Sequence, residues 1–206
     1  MIQKYLEKPL LYKGRKFDIR LWAFAHSCQD FYVYNEGYIR TSSEAYSSDN
    51  TDNEYIHLTN NCLQVKNKDT YGLHEEGNTV SFQQFEQYIK EQFPNYNLEF
   101  DRDFLQRMKD IAIDCYMSVK QTLNPNKRKN CFELFGFDFM IDEDFRVWLI
   151  EVNTNPYIGI HNQKMKHILP KMFVGLFKIV LDPIHSPDEI IENPHEGTGF
   201  DLLYSR

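Results

Sequence analysis

Three oxygen-bearing side chains interrupt two apolar segments in the second half of the chain. Asp138 lies within residues 135–141, and Glu151 and Asn153 lie within residues 147–153, with a short polar turn between the segments. Because successive side chains of a β-strand point to opposite faces, Glu151 and Asn153 share one face. If the turn lies near residues 143–145, Asp138 falls opposite or diagonal to Glu151. The spacing therefore predicts two carboxylates and an amide at one place on a half-buried hairpin.

Such a cluster predicts a divalent cation. Two carboxylates buried together without compensation are costly, and each raises the pKa of the other. Carboxylate and amide oxygens suit Mg²⁺, which usually takes one or two carboxylates and completes its shell with water and phosphates. The alternative is a hairpin with solvated acids. We prefer that alternative for Asp142, Glu143 and Asp144 in the turn, and metal ligation for Asp138 and Glu151.

A second alternation runs through residues 15–22. Lys16, Asp18 and Arg20 point to one face of a strand, and Phe17 and Ile19 point to the other. The charged row is either a salt-bridge ladder on a solvated sheet, where exposed pairs contribute about 0–1 kcal/mol each, or a polyphosphate site. Beside a magnesium-type hairpin, phosphate binding is the better interpretation.

Composition restricts the class of protein. The 206 residues are 42% hydrophobic, enough for one sizeable core or one domain with a tail. A formal net charge of −7 argues against nucleic acid as a partner, and the lack of a long apolar stretch argues against a membrane. Four cysteines without CxxC pairing predict free thiols. Seven histidines without zinc-type spacing argue against a zinc site. With no signal peptide visible, we expect a cytoplasmic protein.

The remaining pattern predicts strands followed by helices. Short strands are expected in an antiparallel meander over residues 2–12, 16–28, 31–34 and 38–41. Ser81 is a candidate N-cap, a longer helix begins at Asp101 with an apolar stripe that includes Val119, and a final helix covers residues 162–181. Residues 182–206 are expected to form a loosely structured tail.

Five ordered signatures resemble the tubulin tyrosine ligase and tubulin tyrosine ligase-like family. They are QKYLEKPLL at 3–11, GRKFDIR at 14–20, GYIRTSS at 37–43, HLTNN at 57–61, and FGFD at 135–138 with EVNTNP at 151–156. The resemblance implies an α+β, ATP-grasp-like fold: a largely antiparallel sheet flanked by helices. Residues 1–181 would form the C-terminal portion of such a catalytic domain.

The resemblance also implies how ATP is held. Backbone groups of a hinge strand would contact the adenine edge, and this strand comprises Gln3, Lys4, Tyr5 and Leu6. Lys16, Asp18 and Arg20 match the strand that contacts ribose and phosphates. Thr59 and Asn60 match a loop that closes on the nucleotide.

Catalysis, by the same resemblance, depends on positioning and charge neutralisation. Arg40 matches an arginine near the transferred phosphoryl group, and Lys16 and Arg20 assist it. The matching magnesium ligands are Asp138, Glu151 and Asn153. The implied reaction phosphorylates a carboxylate of the acidic C-terminal tail of tubulin, and the amine of a free amino acid then attacks the acyl phosphate. Such an enzyme would act on the microtubule cytoskeleton or in a cilium.

The added amino acid is tyrosine, glutamate or glycine in this family. Residues 71–78 resemble tyrosine ligase itself, whereas Thr154 and Asn155 resemble the polymodifying branches. We favour tyrosine slightly on this basis.

The family's upstream subdomain, with a further phosphate-binding lysine and a glycine-rich loop, has no counterpart among the 206 residues, whose nine glycines form no GxGxxG run. We therefore expect the N-terminal subdomain to be absent and the isolated chain to have little ligase activity. Two alternatives stay open: a non-catalytic module that binds tubulin tails, and an ATP-grasp peptide ligase with another acceptor.

Overall fold

The computed structural model describes residues 2–27, 30–185 and 193–205. Six strands form one sheet: β1 (Phe17–His26), β2 (Asp30–Thr41), β3 (Thr79–Ser81), β4 (Phe132–Ile141), β5 (Val147–Asn153) and β6 (Phe200–Tyr204). Their order is β3-β2-β1-β4-β5, and β6 pairs with β2. The pairings in the described part of the chain are antiparallel, which confirms the expected α+β, ATP-grasp-like architecture.

The helices are α1 (Glu54–His57), α2 (Asn61–Gln64), α3 (Phe82–Gln92), α4 (Gln106–Leu123) and α5 (Gln163–His185). The predicted N-cap Ser81 forms a capping box with Gln84 at the start of α3. The helix expected from Asp101 begins as a π-helix over Phe100–Leu105 and continues as α4. Val119 of α4 is 43% exposed, so the prediction that it belongs to the core was wrong; Tyr116 is buried instead.

The two faces of the sheet are covered by different helices. Phe17, Ile19 and Leu21 pack in the core formed with α3 and α4. On the opposite face, Trp22 and Phe24 pack against α5. By alternation, Lys16, Asp18 and Arg20 share the face of Trp22 and Phe24. The aromatic end of this face lies under α5, and the charged end is the floor of the site described below.

The hairpin of β4 and β5 has the expected register. Asp138 pairs with Glu151, followed by a bulge between Asp138 and Phe139. In the turn, Glu143 and Asp144 are exposed, as predicted. The prediction for Asp142 was wrong, because its carboxylate is buried and accepts hydrogen bonds from the backbone of Asp144 and Arg146 and from the indole of Trp148. The carboxylate therefore shapes the turn.

Two other expectations need correction. Residues 2–12 contain no strand; the structure has only isolated bridges there, between Pro9 and Asp142 and between Tyr12 and Arg15. The two short strands expected over 31–34 and 38–41 are one continuous strand, β2, which is bulged where it faces residues 21–23 of β1. The bulge absorbs the polar residues that seemed to end the first strand.

The tail also differs from the sequence-based expectation. Residues 182–185 continue α5, and β6 pairs with β2; residues 186–192 and Arg206 lie outside the described part. The ring of Phe200 packs against Phe24 and Tyr34, and Asp201 forms an ion pair with Lys109 at 2.7 Å. These partners are more than ninety positions away, so local composition did not reveal them. No described helix is long and apolar enough to cross a membrane.

Candidate functional site

A cleft of about 510 Å³ lies over the charged end of the sheet, within the size range of small-molecule sites. Most of the predicted site residues line it: Lys16, Asp18, Arg20, Arg40, Thr59, Asn60, Asp138, Glu151 and Asn153. They come from β1 and the residue before it, from β2, β4 and β5, and from the loop between α1 and α2. The antiparallel order β2-β1-β4-β5 makes these strands neighbours, which brings together positions separated by more than a hundred residues.

The centre of the floor is a buried ion pair between neighbouring strands. Arg20 pairs in register with Asp138. Its Nε and Nη2 atoms donate to the two carboxylate oxygens at 2.5 and 3.0 Å. Both side chains are at most 6% exposed. Such a two-point pair fixes the plane of the carboxylate.

Arg40 joins this pair to a second carboxylate. It donates to both oxygens of Asp18 at 2.6 Å and lies 2.9 Å from Oδ2 of Asp138. Burial disfavours its charged form, but Asp18 and Asp138 outweigh burial and raise the pKa of Arg40. Burial likewise opposes ionisation of Asp138, and the hydrogen bonds and charges of Arg20 and Arg40 lower its pKa overall. Arg40 and Asp138 are therefore charged at neutral pH.

Asn153 lies between the two carboxylates of the hairpin. Its Nδ2 atom donates to Asp138 Oδ2 at 3.3 Å and to Glu151 Oε1 at 3.1 Å. Asp138 is buried, whereas Glu151 is exposed. The amide NH₂ of Asn153 therefore bridges the two carboxylates.

The residues fit a magnesium ion. Two carboxylates and an amide oxygen are hard ligands of the type that Mg²⁺ takes. Among the described residues no cluster of three or more His, Cys, Asp or Glu side chains could hold a metal. The Nη1 atom of Arg20 is buried without a hydrogen-bond partner in the described structure. Such a buried donor calls for an acceptor that the described protein atoms do not supply.

Lys16 lies at the first position of the charged row and is buried. Its ammonium donates to the hydroxyl of Tyr5 at 3.1 Å and lies 4.5 Å from the centre of that ring. Burial lowers the pKa of Lys16, and the charge of Asp18 opposes this effect. Tyr5 also contacts His57 Nδ1 at 2.8 Å. Tyr5 thus reaches Lys16 and His57, which line the cleft, although Tyr5 is not itself a lining residue.

The other expected hinge residues lie elsewhere. Gln3, Lys4 and Leu6 are not among the residues that line the cleft. Lys4 and Leu6 lie beside the hairpin turn at residues 142–144. The segment is not a strand in this structure, so its role toward adenine stays a prediction.

The expected closing loop is held in place by side chains. Thr59 donates to Asp18 Oδ2 at 2.7 Å, and Asn60 caps α2 through the backbone of Cys62. Beneath the loop, fully buried Gln64 accepts from Ser43 and donates to the backbone carbonyl groups of Tyr55 and Leu58. This support was not predicted.

A second set of buried polar contacts surrounds Thr41 and Ser43, at the end of β2. Arg15 pairs with Glu75 at 2.5 Å, and Asn78 bonds to the carbonyl of Thr41 and the hydroxyl of Ser43. Glu75 and Asn78 lie in a segment rich in turn residues, where a polar side chain is ordinarily solvated. Residue type and spacing therefore carried no signal for these supports.

Comparison with known proteins identifies relatives of this arrangement. The model of the tubulin-tyrosine ligase family matches residues 1–189. The chain is 32% identical to Tubulin glycylase 3B of Tetrahymena thermophila and 35% identical to Tubulin glycylase 3A of Drosophila melanogaster. Both matches cover 99% of the present chain. It is also 31% identical, again over 99% of its length, to a probable alpha-tubulin polyglutamylase of Tetrahymena thermophila.

The match covers only part of these relatives. The chain spans 17% and 20% of the two glycylases and 50% of the polyglutamylase. The names refer to glycine and glutamate, so the slight preference for tyrosine expected from residues 71–78 is not supported.

Proposed function

The chain belongs to the tubulin-tyrosine ligase family, and on this basis we propose that it carries the nucleotide- and metal-binding face of an ATP-dependent ligase. The proposed ligase joins glycine or glutamate to a carboxylate of the acidic tubulin tail. The geometry of Arg20, Arg40 and Asp138 supports this proposal most directly. Two guanidinium groups meet one carboxylate that is itself within reach of Glu151 and Asn153. Such a site can accept phosphate and a cation together.

Each side chain has a task in this reaction. Lys16, Arg20 and Arg40 would bind phosphate oxygens and neutralise charge as phosphate passes from ATP to the tail carboxylate. Asp18 and Thr59 hold Arg40 and the loop in position for this contact. The amine of the amino acid then attacks the acyl carbon, the new amide forms, and phosphate leaves. The residues act by orientation and charge, and none needs to become covalently attached.

Asp138, Glu151 and Asn153 would hold the magnesium ion. When bound, Mg²⁺ supplies charge neutralisation on the phosphate groups of ATP. In the structure both oxygens of Asp138 accept from arginine, whereas Glu151 accepts from Asn153 alone among the contacts of the described residues. Glu151 therefore has the most free lone pairs for a cation.

The glycylase and polyglutamylase names of the relatives support glycine or glutamate as the co-substrate. The same names support tubulin as the acceptor and the microtubule cytoskeleton as the place of action. A cilium remains an expectation from resemblance.

Magnesium-dependent binding of ATP tests the proposal. Titration calorimetry of the 206-residue chain with ATP is expected to show binding that needs Mg²⁺ and is lost in Arg20→Ala and Arg40→Ala. Retained binding of an acidic tubulin-tail peptide, with no ATP binding under any condition, would instead identify a non-catalytic binding module and overturn the proposal.

The choice of amino acid needs its own measurement. Purified tubulin is incubated with the chain, ATP, Mg²⁺ and labelled glycine, glutamate or tyrosine. If tubulin becomes labelled in an ATP-dependent way, more label is expected from glycine or glutamate than from tyrosine. Label from tyrosine alone, or label on unrelated acidic peptides as readily as on tubulin, would contradict the proposed substrates.

A further inference from the structure

Helix α5 is apolar on two opposite faces. Its inner face, which includes Met172 and Leu176, packs against the sheet. Its outer face carries a second apolar row: Val174, Phe177, Leu181 and Ile184, which are 57, 43, 38 and 41% exposed. The ring of Phe177 also packs beside Phe173, with centroids 5.8 Å apart. A large apolar row left on the surface marks an interaction site rather than a core.

The row has the spacing of a helix–helix seam. Pro170, Val174, Phe177, Leu181 and Ile184 follow one another at intervals of four, three, four and three residues. This alternation is the spacing of the core positions of a coiled coil. The fifteen residues cover about 22 Å of helix, enough for two heptads of contact.

One side of the seam carries a basic residue in every heptad. Lys164, Lys171, Lys178 and His185 recur at intervals of seven residues. None of the ion pairs formed within the described part of the chain uses Lys171 or Lys178. The opposite flank carries Lys166, Phe173 and Val180. The one acid of α5 is Asp182, four residues after Lys178. This basic flank stands out in a chain whose formal net charge is −7.

We propose that the outer face of α5 is a docking surface for an amphipathic helix of another protein, one that carries acidic side chains beside its apolar row. The apolar seam would supply most of the binding free energy. The flanking charges would select the partner, because charges beside a helical seam set pairing preference.

A second copy of this chain satisfies the pattern poorly. Its α5 offers one acid, Asp182, against the four basic residues of the flank, Lys164, Lys171, Lys178 and His185. Like charges facing each other across a seam oppose association. The surface is independent of the ATP cleft, so the proposal does not depend on the proposed ligase activity.

Two labelled synthetic helices can test the charge rule. Both have four heptads and the same Leu/Ile seam; one has Glu and the other Lys at the flanking positions. By fluorescence anisotropy, the Glu peptide is expected to bind the chain about three- to tenfold more tightly, the effect of a few exposed ion pairs. In the double variant Lys171→Glu/Lys178→Glu this preference should invert.

A remote double variant is the matched control. Lys127→Glu/Lys129→Glu changes the net charge by the same amount, at exposed positions after α4, on the other face of the sheet. It should keep the preference for the Glu peptide. Equal affinity of the two peptides for the unmodified chain, or inversion in the control as well, would overturn the proposal.

The apolar row has a separate test. Phe177→Gln, at an exposed position, should keep the thermal unfolding midpoint and weaken both peptides. Unchanged binding in this variant would refute docking on the seam. A dimer of the chain in sedimentation equilibrium that dissociates in Phe177→Gln would show that a second copy covers the face, and would refute the proposed partner.

Discussion

Arg20 and Asp138 form a two-point ion pair across neighbouring strands, although 118 positions separate them in the chain. The pair is buried, and Arg40 approaches the same carboxylate at 2.9 Å. Each charge therefore depends on its partners for compensation. The network is both a structural element of the sheet and the floor of the proposed site.

Asp138→Asn should destabilise the fold strongly. The change removes the carboxylate charge and leaves the buried Arg20 without its counter-ion, a loss expected to cost about 3–5 kcal/mol. Urea unfolding followed by circular dichroism measures the free energy of unfolding. Asp144→Asn is the control, since that side chain is 61% exposed and its loss should change stability by less than about 0.5 kcal/mol. Equal effects of the two variants would show that the pair contributes nothing net.

Acid should remove this stabilisation. The folded-state pKa of Asp138 is lowered, so its contribution is fully present above the ordinary aspartate value of about 4 and declines as pH falls through the folded value. The difference in unfolding free energy between the unmodified chain and Asp138→Asn should therefore be constant from pH 7 to 5 and shrink below about pH 4. A difference that grows on acidification would show that the sign is wrong.

Glu151→Gln separates ligand binding from folding. Glu151 is exposed, so the free energy of unfolding should change by less than about 0.5 kcal/mol. The affinity for ATP in the presence of Mg²⁺ should fall by about tenfold or more, a loss typical of removing even a supporting group from a metal site. Glu133→Gln, exposed on the same hairpin, should bind as the unmodified chain does. Unaltered magnesium-dependent affinity in Glu151→Gln would exclude Glu151 as a ligand.

Gln64→Met should loosen the loop that carries Thr59. The thioether fills similar space but leaves Ser43 and the carbonyl groups of Tyr55 and Leu58 without their partner, at about 1–3 kcal/mol for each group left unpaired. Hydrogen exchange over residues 54–65 should accelerate, and ATP should bind more weakly. Gln87→Met, on the exposed surface of α3, is the control and should change neither measurement. Unchanged exchange in Gln64→Met would show that the loop is held by other contacts.

The sequence by itself determined the local units of this protein. The alternation of β1, the N-cap at Ser81 and the hairpin that sets Asp138 opposite Glu151 were all predicted, and the structure contains them. These features depend on side-chain periodicity, turns and caps, which act between near neighbours in the chain. Side-chain alternation singled out six of the residues that line the cleft, and the family resemblance added three more, Arg40, Thr59 and Asn60.

Only the tertiary structure decided which units meet. It placed β1 beside β4, so that Arg20 reaches Asp138, and it added β6 to β2. It also buried two polar side chains: Asp142, which was predicted to be solvated, and Gln64, for which the sequence predicted no role. Strand order and burial depend on how both faces of the sheet are covered, and this covering involves residues far apart in the chain. Local pattern contains no information on that choice.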